Sequence, residues 1–162
     1  MALLVADSGP LIALARVHLL ALPARIFTEV LVTAMVWSEV TRSPRIGEHE
    51  ALAAALDAGL LHLVDDPPEV SAVLADPRLD EGERSALALA MSRRATVLID
   101  EHRGRTVAAA AGLPVIGTLG LLMRARELQM IGPVRPLIDA LLASGYFLSR
   151  PLVERALGEL GE

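Results

Sequence analysis

Leu3-Leu4-Val5-Ala6-Asp7 and Thr96-Val97-Leu98-Ile99-Asp100 decide the fold. Each is a run of four apolar residues stopped by an aspartate. Such short, continuous apolar runs are what strands buried on both faces of a parallel sheet look like. Helix-like sequence follows each one. Ligands of open α/β sheets bind outside the carboxyl ends of the strands. Asp7 and Asp100 can therefore face each other across one crevice. Carboxylates placed together repel unless a cation joins them, and the usual candidate is divalent.

Outward from these runs, strand-like and helix-like stretches alternate. Residues 30–32 and 61–64 read as short strands, 115–116 as another, and 146–148 as a last one. Helices are expected over 10–22, from the Thr33 cap to about Val40, over 48–58 closed by Gly59, over 69–74, from Asp80 to about Arg93, and over 101–111 closed by Gly112. Three more are expected over 118–128, 134–144 and 151–160. This alternation predicts an α/β fold, a parallel sheet with helices on both faces and right-handed crossovers. No linker or repeat divides the 162 residues, so one domain over 1–162 is expected.

Composition excludes several chemistries. The chain has no cysteine, which removes disulfides, zinc–thiolate sites and thiol catalysis. Its 15 basic residues are all arginine, which removes Schiff-base and P-loop lysines. Aromatics are 2%, too few for base stacking as the main mode of nucleic-acid binding. The net charge of −5 argues against a general DNA binder, so any action on nucleic acid should be local. The N-terminal apolar run lacks a positive flank and makes a poor signal peptide. Residues 106–123 carry no charge, but Gly112, Pro114, Gly117 and Gly120 divide them into helix end, strand and new helix rather than a membrane span. The chain reads as cytoplasmic by default.

Four acids stand out. Asp7 and Asp100 end strands, where the plain alternative is a helix N-cap. Glu39 shares a helical face with Met35 and Val36, which is costly for a carboxylate unless it is paired, bound or at the rim beside Arg42. Glu83 heads the stripe Glu83, Ala86, Leu87, Ala90, Met91. With Asp80 it also makes the D-x-x-E spacing of a capping box. Asp80 and Glu81 read as capping or solvated residues, Asp65 and Asp66 as turn residues, and Asp57, Glu154, Glu159 and Glu162 as helix surface. The four histidines lack metal-ligand spacing, and no nucleophile elbow or dinucleotide fingerprint is present. An all-oxygen set of Asp7, Glu39, Glu83 and Asp100 suits Mg²⁺ or Mn²⁺ and metal-assisted hydrolysis of a phosphodiester. That reading expects all four carboxylates within one ion's reach.

The order and spacing of these pieces resemble the PIN domain, specifically the small prokaryotic toxin-type nucleases (VapC-like). The resemblance runs through Val5-Ala6-Asp7-Ser8-Gly9-Pro10-Leu11-Ile12, Val36-Trp37-Ser38-Glu39-Val40, Leu79-Asp80-Glu81-Gly82-Glu83-Arg84-Ser85-Ala86-Leu87, Val97-Leu98-Ile99-Asp100-Glu101-His102-Arg103-Gly104-Arg105 and Gly112-Leu113-Pro114-Val115-Ile116-Gly117-Thr118-Leu119-Gly120. It implies a PIN-like three-layer sandwich and a Mg²⁺- or Mn²⁺-dependent endoribonuclease of a toxin–antitoxin pair. Asp7, Glu39, Glu83 and Asp100 match the family's acids in order, as catalytic residues and metal ligands. It also implies an RNA substrate and a small antitoxin partner, and unburied stripes on the Ala/Leu-rich helices suggest a homodimer or antitoxin contacts. Two departures are visible: Glu83 stands where many members carry Asp, and Ile99 precedes Asp100 where many carry Thr or Ser.

Some roles stay open at this level. Ser8 can serve a metal-bound water or cap a turn. Arg103 and Arg105 can hold a phosphate or pair with acids, and Thr118 most simply caps its helix. An alternative is a catalytically weak or inactive PIN-like module that binds a protein partner, suggested by the Ala/Leu-rich helices. A phosphatase or phospho-acceptor reading ranks last, because its aspartate would need a lysine partner.

Overall fold

The computed structural model describes residues 2–42, 45–68 and 75–162. The helix expected over 69–74 lies outside the described residues. Five strands form one all-parallel sheet: β1 (Leu4–Ala6), β2 (Val30–Thr33), β3 (His62–Val64), β4 (Thr96–Leu98) and β5 (Val115–Ile116). Their order is β3-β2-β1-β4-β5. The helices are α1 (Ser8–Arg16), α2 (Leu22–Ile26), α3 (Ala34–Thr41), α4 (Ile46–Asp57), α5 (Glu81–Arg93), α6 (His102–Ala110), α7 (Thr118–Glu127), α8 (Arg135–Ala143) and α9 (Arg150–Leu160). They surround the sheet as in a PIN-like three-layer α/β fold.

The two diagnostic runs are the middle of this sheet. Leu4, Val5, Ala6, Val97, Leu98 and Ile99 are fully buried. Burial on both faces is why they show no polar alternation. β1 pairs with β4 in register, Ala6 opposite Leu98, and the Asp7 N–H extends the ladder to the Leu98 carbonyl at 2.9 Å. The chain order turns around between β1 and β4, so the crevice forms at their carboxyl ends.

Three expectations needed correction. The helix expected over 10–22 is α1 followed by the separate α2, with His18 between them in the left-handed region at φ 58°. No glycine or proline marks that break. Residues 146–148 are in neither helix nor strand and form no part of the sheet. Glu162 is not plain helix surface. Its carboxylate accepts the Val134 and Arg135 N–H groups at 2.7 and 2.9 Å and pairs with Arg126 at 3.2 Å, which caps the start of α8.

Candidate active site

Asp7 is buried, 5% exposed, where β1 gives way to α1. It sits at the N-cap position of α1, yet its side chain makes no capping hydrogen bond. Its Oδ1 is buried and finds no hydrogen-bond partner among the described residues. A buried polar atom left alone costs about 1–3 kcal/mol. Burial pushes the carboxyl up from 3.8 to about 8, the Ser8 backbone N–H opposes this, and Asp80, Glu83 and Glu39 push further upward by repulsion.

The N-terminus of α5 gathers those other acids. Asp80 accepts the Glu83 N–H at 2.7 Å, and Glu83 Oε2 accepts the Asp80 N–H at 2.9 Å, closing the expected capping box. Glu39 reaches across from α3, and its Oε1 accepts the Gly82 N–H at 3.0 Å. The Ser8 side chain opposes the rise of the Glu39 carboxyl. The positive end of a helix lowers the cost of placing three carboxylates together. It does not remove that cost. Burial and then the neighbouring Asp80 raise Glu39. Burial first, then repulsion by Asp80, Glu101 and Glu39, raises Glu83 to about 7 against the pull of the Asp80 N–H.

Gly82 makes this arrangement possible. A Cβ built there would land on the Glu39 carboxylate. Glycine-to-alanine changes in a helix ordinarily stabilise by about 0.5–1 kcal/mol. Gly82→Ala should instead displace Glu39 and weaken Mn²⁺ binding by about tenfold, as loss of a ligand-orienting contact does. Calorimetric titration checks this; an alanine variant that binds Mn²⁺ as the parent does would show that Glu39 is not held through Gly82.

Asp100 belongs to the neighbouring strand end and is engaged differently. It caps no helix of its own, because Glu101 occupies that place and accepts the Gly104 N–H at 2.8 Å. Asp100 turns instead to the start of α7. Its Oδ1 accepts the Thr118 N–H at 2.7 Å, and its Oδ2 accepts the Thr118 hydroxyl at 2.5 Å and the Tyr146 hydroxyl. Thr118 therefore serves Asp100 rather than capping α7. The Tyr146 phenol is pushed upward by burial, by the Asp100 charge and by its hydrogen bond to Asp100, with a smaller contribution from Asp7.

Asp7, Glu39 and Glu83 thus repel one another, while Asp100 at the neighbouring strand end is held by Thr118 and Tyr146. Among the described residues no three acidic or histidine side chains are yet grouped closely enough to hold an ion. The expected convergence of all four on one ion is absent from this arrangement. Glu39, Glu83 and Asp100 each accept N–H or O–H donors, while Asp7 Oδ1 has none. The donor set still fits a hard divalent cation: it is all oxygen, and the orphaned Asp7 Oδ1 lacks a positive partner.

Two residues of this site escaped the sequence reading. Asp80 both caps α5 and adds charge against Asp7, Glu39 and Glu83. Its D-x-x-E signature explained it completely as a cap, so nothing flagged the second role. Tyr146 was hidden in an apolar triplet. Of the two open arginines, Arg103 pairs with Asp76. The exposed Arg105 donates to the Ile99 carbonyl at 3.3 Å beside Gly117 and Asp100. From Asp100 an open groove of about 640 Å³ runs between α6, α7 and α9, lined by Arg105, Phe147, Leu152 and Arg155.

A family profile described as PIN domain matches residues 3–162. The chain belongs to the PIN-domain family. PIN domains are generally nucleases, which makes nucleic acid the substrate class and hydrolysis the reaction. They generally use divalent metals, in agreement with the donor chemistry above. No curated protein matches the chain. No helix among the described residues is long and apolar enough to cross a membrane.

Proposed function

We propose that this PIN domain is a Mg²⁺- or Mn²⁺-dependent endoribonuclease, the toxin of a toxin–antitoxin pair, with Asp7, Glu39, Glu83 and Asp100 as metal ligands. The observation that carries the nuclease reading is the buried, partnerless Asp7 Oδ1 facing Glu39 and Glu83 at the β1–β4 crevice. A bound divalent ion would polarise the phosphate, lower the pKa of a water and stabilise the leaving oxygen. The chain's own residues do the rest. Glu39 is aimed by Gly82, Glu83 by its capping box, and Asp100 by Thr118. Arg105, beside Asp100 and the groove, is placed to steady a phosphate of the substrate.

The RNA and toxin readings draw their support from the resemblance of the sequence to the small toxin-type PIN nucleases, the homodimer from the Ala/Leu-rich helix stripes, and the cytoplasmic reading from the poor signal peptide. A basic antitoxin would complement the net charge of −5. The protein-binding-module alternative explains neither the orphaned oxygen nor the family's general activity.

The decisive experiment is cleavage of RNA by the purified chain with Mg²⁺ or Mn²⁺, repeated in chelator and with Asp100→Asn. Cleavage should require the ion and be abolished in the folded variant. Cleavage that persists in chelator, or in folded Asp100→Asn, overturns the four-carboxylate site. A small basic protein that co-purifies would support the toxin reading.

A further inference from the structure

Resting on the metal-nuclease reading, we propose that Tyr146 is a positioning residue that leaves Asp100 only one oxygen to offer a cation. A carboxylate has about four lone-pair sites, two on each oxygen. The Thr118 and Tyr146 hydroxyls occupy both sites of Oδ2. The Thr118 N–H takes one site of Oδ1. One site on Oδ1 remains. That oxygen lies beside Gly117, where a Cβ would come within 2.9 Å of it and within 2.5 Å of the Arg105 guanidinium. Asp100 is thus fixed as a one-oxygen ligand with a defined direction.

The phenol is built into this position. It is half-buried, and its hydroxyl lies 3.4 Å from where a Cβ of Gly9 would stand, over the first turn of α1. It therefore spans from the first turn of α1, just after Asp7, to Asp100. The neighbouring Phe147, 85% exposed, has no such contact and serves as a control. Tyr146 is the chain's one tyrosine.

Tyr146→Phe keeps the ring and removes the hydrogen bond. Oδ2 then regains a free lone pair and the carboxylate can rotate. Groups that orient a ligand in this way typically account for 10–100-fold in metal affinity. Mn²⁺ affinity of the purified protein, measured by calorimetry without RNA, should fall about tenfold or more in Tyr146→Phe and stay unchanged in Phe147→Ala. Thr118→Val removes the other hydroxyl from the same oxygen and should move affinity in the same direction, which keeps the test open if the tyrosine variant folds poorly. Unchanged affinity in a folded Tyr146→Phe protein overturns the assignment alone. Absence of Mn²⁺ binding by the parent protein overturns the metal reading and the assignment with it.

Discussion

Asp7→Asn should abolish cleavage and, at the same time, make the metal-free protein more stable. In the parent, Asp7 Oδ1 is buried without a partner and faces Glu39, Asp80 and Glu83. An asparagine has nearly the same shape, carries no charge and brings an NH₂ group into a neighbourhood rich in carboxylate acceptors. Near pH 8 the gain should be about 1–3 kcal/mol, the usual cost of the unsatisfied group it removes. Loss of one group that stabilises the developing charge at a reacting centre commonly lowers rates by about 10²–10³-fold. Thermal unfolding in chelator and RNA cleavage in Mg²⁺ test the two halves on one protein. A variant that is less stable than the parent in chelator, or that cleaves at a rate close to the parent's, removes Asp7 from the centre. Stability and activity pulling in opposite directions at one residue is the signature of strain held for function.

The second large effect concerns pH. Asp7 and Glu83 titrate at about 8 and about 7 in the folded protein, against ordinary values of 3.8 and 4.5. Burial is the first cause for both, so the folded chain keeps protons that the unfolded chain has already released. Their contribution is whole below about pH 4 and is lost as pH rises through 7 and 8. Each such proton changes stability by about 1.4 kcal/mol per pH unit within that window. Asp76 and Glu162 act the other way. Backbone N–H groups of Arg78 and Arg135 hold their carboxyls low, and what they contribute is lost only on strong acidification. The metal-free protein should therefore be most stable near pH 4 and lose stability steadily towards pH 8.

A divalent ion should reverse that slope. Its ligands must be deprotonated, so it competes with protons at low pH and binds best where the apo protein is weakest. At a concentration 100 times its dissociation constant it stabilises by about 2.7 kcal/mol. Melting curves with and without Mn²⁺ at pH 5.5 and pH 8 should show a gain concentrated at pH 8. A metal-free protein whose melting temperature rises between those pH values would contradict the raised carboxyls.

Much of this was legible in the sequence, for identifiable reasons. β1 and β4 announced themselves because strands buried on both faces need uninterrupted apolar residues. The α5 capping box was visible because its two bonds link residues at fixed spacing within one turn. The approach of Asp7 to Glu39 and Glu83 is a tertiary contact, reached by assuming a topology that the sheet order bears out. What stayed hidden is what local pattern does not encode. Tyr146-Phe147-Leu148 has the composition of a strand, but no neighbouring strand takes up its backbone, and the tyrosine hydroxyl acts 46 residues away in sequence. Thr118 follows Gly117 at a helix start, where a cap is the ordinary reading. Only the placement of β4 beside β5 brings it to Asp100.

The position of β1 in the middle of the sheet has a kinetic consequence. Its partner on one side is β2, close in sequence, but on the other it is β4, with Leu4 opposite Thr96. Closing so long a loop must precede the reward of pairing, and parallel pairings of this kind fold slowly. An emerging chain carries Asp7 and Glu39 well before Asp100, Thr118 and Tyr146 exist. A nascent polypeptide of half length therefore holds half of the acids and no crevice between strand ends. The topology itself postpones assembly of the crevice until the second half of the chain has been made.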